Sequence, residues 1–113
     1  MTRSLGLVAD IEDGGCKSFR PAPGCFTGLF AVRRGEGVVV YVNACPHLGV
    51  PLDWAPNRFL STDGCHIVCS MHGATFEIET GLCTAGPCVG DTLEKIEYEI
   101  KDGEIIIPTN SGR

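Results

Sequence analysis

The 113-residue chain reads as an all-β protein, with antiparallel sheets, and three observations carry that reading. No stretch repeats its apolar residues at helical spacing. Several short strand-like runs follow one another, separated by Gly-rich turns. Asp-Gly or Thr-Gly pairs stand at the points where hairpins would close, and Asp-Gly supplies the positive φ that a type I′ turn needs.

In chain order, Leu5 to Ile11 alternates loosely and reads as an opening strand, which Asp13-Gly14-Gly15 breaks. Pro21, Pro23 and Gly24 mark a second loop. Phe26 to Arg33 is strand-like, and Arg34-Gly35-Glu36-Gly37 turns the chain into Val38-Val39-Val40-Tyr41-Val42. That β-branched run predicts a buried strand. Asp63-Gly64 closes a hairpin leading into Cys69, and Thr80-Gly81 closes the next, after Ala74 to Glu79. Asp102-Gly103 joins Ile96–Lys101 to Glu104–Pro108. A two-residue loop there sets Ile100 opposite Ile105 and Lys101 opposite Glu104, one apolar pair and one of opposite charge. Glu97 and Glu99 then form a solvated face opposite Ile96, Tyr98 and Ile100, which is a simpler role than acid–base work with Glu94.

The length predicts one domain over residues 1–113, large enough to bury roughly two-thirds of its unfolded surface without disulfides. No run of 18 apolar residues exists, so no membrane span is expected. The start, MTRSLGLVAD, lacks the apolar stretch of a signal peptide. Seven cysteines, an odd number, then point to a reducing compartment, and the expected location is cytoplasmic. A net charge of −5 argues against nucleic acid as a partner. It suits docking to a basic protein and suits solubility equally.

Two short motifs carry the chemistry, Cys45-Pro46-His47 and Cys69-Ser70-Met71-His72, with 21 residues between His47 and Cys69. Together they put two thiolates and two imidazoles on two loops, a donor set that suits zinc or an iron–sulfur centre. A structural zinc site usually pairs like ligands, as C-x2-4-C with H-x3-5-H. Here each loop mixes Cys with His, which favours the two-iron centre.

The string CPHLGVPLDW…CHIVCSMHGATF resembles the Rieske-type ferredoxin family over about residues 41 to 90. The resemblance implies the Rieske fold, in which a cluster-binding subdomain, here about residues 43–90, is inserted in a larger β base. It implies one [2Fe-2S] cluster per chain, with Cys45 and Cys69 on the inner iron and His47 and His72 on the outer. Gly49 and Gly73 would let the backbone approach the sulfurs, and Pro46, Leu48 and Met71 would form an apolar rim. Gly86-Pro87 resembles the loop that lies over the cluster, which implies that Pro87 shields it. The implied function is electron transfer, from a flavin reductase to an oxygenase or similar enzyme. The alternatives are a small redox or regulatory subunit of a larger oxidoreductase complex, and a zinc-stabilised binding domain.

His66 is the one further histidine, and alternation puts it with Val68 on an exposed face, opposite Cys65, Ile67 and Cys69. A mononuclear iron site needs two His and a carboxylate, so this chain is not expected to activate oxygen by itself. Cys83 and Cys88 read as small buried fillers, since no second pair completes a site around them. Cys16 and Cys25 have no required role, and Trp54 is open between core and docking contact.

Respiratory-complex Rieske proteins carry an extra Cys in each loop, joined as a disulfide. Val50 and Met71 occupy those positions here. Those proteins also carry a Ser and a Tyr whose hydroxyls donate to the cluster, where this chain has Ala74 and Phe76. Losing two donors disfavours the more negative, reduced state. The expected potential lies near the low end of the ~−150 to +300 mV Rieske range. Voltammetry giving a value well above zero would contradict this.

Overall fold

A run such as Val38-Val39-Val40-Tyr41-Val42, with no polar alternation, is stable in a sheet only if both of its faces are covered. The computed structural model describes residues 2–20, 28–35, 37–44, 52, 59–61, 66–69, 73–86 and 89–108, and it shows that double cover. Nine strands are described: β1 (Thr2–Leu7), β2 (Cys16–Phe19), β3 (Leu29–Arg34), β4 (Gly37–Val42), β5 (His66–Val68), β6 (Thr75–Glu77), β7 (Cys83–Ala85), β8 (Glu99–Lys101) and β9 (Glu104–Pro108). They form three antiparallel sheets, ordered β2-β3-β4, β5-β6-β7 and β1-β9-β8.

The β3–β4 hairpin divides the core. Phe30, Val32, Val39 and Tyr41 face one way and join Leu52, Phe59, Ile67, Cys69, Ala74, Phe76, Ile78, Cys83 and Leu93. Leu29, Ala31, Val38, Val40 and Val42 face the other way, against Leu5, Val8, Ile11, Ile96, Ile105 and Ile107. The alternation of side chains along a strand thus feeds two cores from one hairpin. Phe30 stacks on Phe59 at 4.3 Å between ring centroids and 7° between planes, joining the hairpin to the segment beside β5.

The last hairpin has the expected register, Ile100 opposite Ile105 and Lys101 opposite Glu104. Its turn residues, Asp102 and Gly103, have φ of 52° and 79°, as a type I′ turn requires. Ile100 remains exposed because β8 is the sheet edge. Glu97 and Glu99 are exposed, as expected.

Several boundaries differ from those expected. The opening strand starts at Thr2 and ends at Leu7, not Ile11, and Val8–Asp10 form a 3-10 turn. The Leu7 N–H donates to Asp10 Oδ2 at 3.1 Å and Gly6 has φ of +95°, so the chain bends out of the sheet there. β2 lies in a stretch with no clear alternation; all four of its residues are half-buried, and pairing with β3 makes it a strand. The segment from Ile96 is shorter than expected as a strand. Val42 N–H donates to Glu94 O at 2.9 Å and Ile96 N–H donates to Val40 O at 2.8 Å, so this segment clasps β4 before β8 begins. Asp63-Gly64 lies outside the described residues, and the Leu60–Ile67 bridge flanks it.

Tyr41 is fully buried, and its hydroxyl donates to the Ile78 carbonyl at 2.6 Å. Burial, with the nearby Glu79 charge second, pushes its pKa from 10.0 up to about 12. The folded state therefore holds a proton that the unfolded state releases first. Its stabilising effect is complete below pH 10 and is lost as pH rises towards about 12. Urea titrations across that window should show wild-type stability falling by about 1.4 kcal/mol per pH unit more than that of Tyr41→Phe. Parallel pH profiles for the two proteins would contradict this.

Candidate metal centre

The first ligand motif begins three residues after β4 ends. Asn43, described just ahead of it, accepts the Leu52 N–H on Oδ1 at 2.8 Å and donates its own N–H to Gly28 O at 2.9 Å. Leu52 is fully buried. Both ends of the segment holding Cys45 and His47 are thus fixed to the core, while Cys45 and His47 themselves lie outside the described residues.

The second motif starts where β5 ends. Cys69 is buried, within the same apolar cluster as Phe59, Ile67, Ala74 and Phe76. Its N–H donates to Ala74 O at 2.8 Å, and Gly73 N–H donates back to Cys69 O at 3.1 Å. Gly73 has φ of +67°, a conformation costly for any other residue, so the chain reverses between Cys69 and Ala74. His72 lies outside the described residues.

A third element closes on the second. Gly86, after β7, has φ of +101°, and a Cβ there would meet Ala74 Cα at 2.7 Å and Ala74 Cβ at 2.9 Å. Backbone meets backbone at this point, and only glycine opposite a small residue permits it. The Gly86 turn continues with Val89 N–H donating to Gly86 O at 3.4 Å. Ala74 and Phe76 are both buried, so the turn after Cys69 is packed against apolar groups.

Among the described residues, no three His, Cys, Asp or Glu side chains converge on a metal-sized site. Of the four expected ligands, Cys69 alone is described. Its buried position, at a reversal that Gly73 and Gly86 let the backbone crowd, fits a thiolate ligand of a dry iron–sulfur centre. Two Cys and two His match that centre chemically, and an oxygen-preferring cation would find no carboxylate in this apolar cluster.

Other expected positions resolve as follows. His66 is half-buried rather than exposed, because its N–H donates to Ser61 Oγ at 3.2 Å and the segment around Leu60 flanks β5. Cys83 is a buried filler whose thiol donates to Ala85 O at 3.2 Å, and Cys16 packs half-buried on the same core. Cys25, Pro46, Leu48, Gly49, Val50, Trp54, Cys65, Met71, Pro87 and Cys88 lie outside the described residues. Sequence reasoning missed Tyr41 and Asn43 as structural ties. A polar Asn at the mouth of the first motif was the available signal for Asn43. For Tyr41 it was a single hydroxyl within an otherwise aliphatic run.

A family model, described as the Rieske [2Fe-2S] domain, matches residues 9–104. No protein of curated function matches the sequence. Among solved structures, the fold resembles the ferredoxin of carbazole 1,9a-dioxygenase from Nocardioides aromaticivorans IC177. The TM-score is 0.74 at 23% identity, over 95% of this chain and 96% of that one. A chain from a complex of reduced oxygenase and oxidized ferredoxin in carbazole 1,9a-dioxygenase gives a TM-score of 0.75 at 23% identity, over 96% and 93%. A longer chain, from a reduced complex between oxygenase and ferredoxin of carbazole 1,9a-dioxygenase, gives 0.77 at 18% identity. It matches 99% of this chain but only 28% of its own length.

The Gly86–Ala74 contact is directly testable. Gly90 has a similar φ, +96°, but open space around its missing Cβ. Gly86→Ala should cost about 1–3 kcal/mol more than Gly90→Ala in thermal or urea unfolding, because it adds a backbone clash to the same φ strain. Equal losses would contradict the close approach.

Proposed function

The chain belongs to the Rieske [2Fe-2S] domain family, and we propose that it serves as a one-electron carrier between protein partners. The observation that supports this most is the match over residues 9–104, which encloses both mixed Cys–His motifs. In this reading Cys45 and Cys69 hold one iron as thiolates, and His47 and His72 hold the other as neutral imidazoles. The bound cluster supplies a single electron's worth of storage, at a potential raised by exchanging two anionic ligands for neutral ones.

The chain's own residues then do three things. The turn from Cys69 to Ala74 seats one ligand in the core. The Gly86 turn packs on Ala74 and braces the turn that follows Cys69. Ala74 and Phe76 present no hydroxyl donor, which leaves the reduced state less stabilised. With His66 the one histidine outside the two motifs, the chain has no donor set for a catalytic mononuclear iron, so it feeds an enzyme instead of acting as one.

The ferredoxin chains it resembles in fold come from an oxygenase system, and an oxygenase or similar terminal enzyme is the proposed acceptor, with a flavin reductase as donor. Charge supports a protein partner with a basic docking face. The segment from Phe59 to Glu94 holds Asp63, Glu77, Glu79, Asp91 and Glu94 and no Lys or Arg, so its −5 equals the charge of the whole chain. Glu77, Glu79, Asp91 and Glu94 are exposed, beside exposed Leu82 and Val89. A cytoplasmic location is proposed with this role; no helix among the described residues is long and apolar enough to cross a membrane. Residues 1–113 are proposed to form a single domain, with 43–90 as its cluster-binding part.

Electron paramagnetic resonance of the dithionite-reduced protein tests the centre. A Rieske-type signal with two irons per chain is expected, and a colourless protein holding zinc and no iron would contradict it. For docking, the rate of reduction by a flavin reductase should fall about tenfold or more as ionic strength rises. A salt-independent rate would contradict an electrostatic encounter.

A further inference from the structure

Donors from two separate loops must meet at one centre, and each loop supplies one Cys and one His. If like donors share an iron, every iron takes one ligand from each loop. An error in the distance between the loops then strains both irons at once, and metal–ligand bonds tolerate only about 0.2 Å. One loop hangs from β4; the other joins β5 to β6. Something must fix β6 against β4.

Apolar packing between them is non-directional and allows small slides. The Tyr41 hydrogen bond does not. Tyr41 stands in β4, and its hydroxyl donates to Ile78 O at 2.6 Å, inside the core. Ile78 directly follows β6, the central strand of its sheet. The turn beyond it folds onto the same ring: a Cβ at Gly81 would lie 2.9 Å from Tyr41 Cε1 and 3.3 Å from Cζ, and Gly81 has φ of +76°. Gly81 N–H donates to Glu77 O at 2.8 Å, so the turn is a closed unit seated on the tyrosine. Backbone bonds also join the two strands through the segment around Leu93, with Val42 N–H on Glu94 O and Leu93 N–H on Gly81 O, both at 2.9 Å, and the Tyr41 ring and hydroxyl add a direct side-chain tie from β4 to this turn.

We propose that Tyr41 is a positioning residue for the metal centre: by seating the Ile78–Gly81 turn, it sets the spacing between the strand that leads to Cys45 and His47 and the sheet that carries Cys69 and His72. This rests on the Rieske reading above. Because the hydroxyl stays protonated through the physiological range, the tie is present under all working conditions.

The test compares Tyr41→Phe with a control of equal thermal stability but altered in the other core, Ile105→Val or Ile107→Val. The loaded Tyr41→Phe chain should release iron to a chelator about tenfold faster than the control, since a buried carbonyl loses its donor at the point that sets the loops. Its reduced resonance lines should broaden, and in the cluster-free chain the Gly81 amide should exchange faster than in the control. Release rate, line width and exchange all equal to the control would overturn the proposal. Should Tyr41→Phe fail to fold, Gly81→Ala, which pushes the same turn off the ring while keeping the hydroxyl, is read by the same three measures. A wild-type chain that takes up no cluster would overturn this proposal and the Rieske reading together. A wild-type chain that loads normally, with Tyr41→Phe behaving like the control, would overturn this proposal alone.

Discussion

Burial of both faces of the β3–β4 hairpin is the constraint from which the rest of the structure follows. A strand of four valines and a tyrosine has no side it can show to water. One face therefore draws in the β1–β9–β8 sheet, and the other draws in β5–β7 with the segments around Leu52 and Phe59. The first core makes a base. The second places Cys69 and Ala74 in the same apolar layer as Tyr41 of β4, four residues before Cys45.

Much of this was legible in the residues. The unbroken Val38–Val42 run announced double burial, and the Asp102-Gly103 turn with its apolar and charged pairs set the last register to the residue. The paired Cys–His motifs announced the centre and, with it, the family. What escaped has physical reasons. β2 carries Lys17 and Ser18 among half-buried neighbours and becomes a strand only because β3 offers it a partner. The opening strand was placed too late because Gly6 and the Asp10 side chain divert the chain at a point where hydrophobic spacing continues smoothly. His66 looked exposed by alternation, yet a neighbouring segment covers its strand, and alternation cannot report on neighbours. Tyr41 read as one more core residue because a long-range hydrogen bond leaves no mark on local pattern. Of the four proposed ligands the structure describes Cys69, together with Asn43 and Leu52, which flank the segment holding Cys45 and His47.

The surroundings of the proposed centre would tune it in one direction. Ala74 and Phe76 bring no hydroxyl, and the Phe59–Glu94 segment carries five carboxylates, of which Glu79 pairs with Arg34 at 3.5 Å. Both make an added electron harder to hold, which opposes the effect of neutral imidazole ligands. A carrier tuned this way would give its electron up readily, and the proposed docking face draws on the same carboxylates. Glycine at 86 lets its backbone touch Ala74, a contact that any side chain at 86 would break.

In the proposed centre the two irons differ, one bonded to sulfur from Cys45 and Cys69, the other to nitrogen from His47 and His72. Mössbauer spectroscopy of the oxidised protein loaded with iron-57 tests this most directly. Two distinct quadrupole doublets of equal area are predicted, one for each iron. A single doublet from two equivalent irons, or no iron-57 uptake at all, would contradict it.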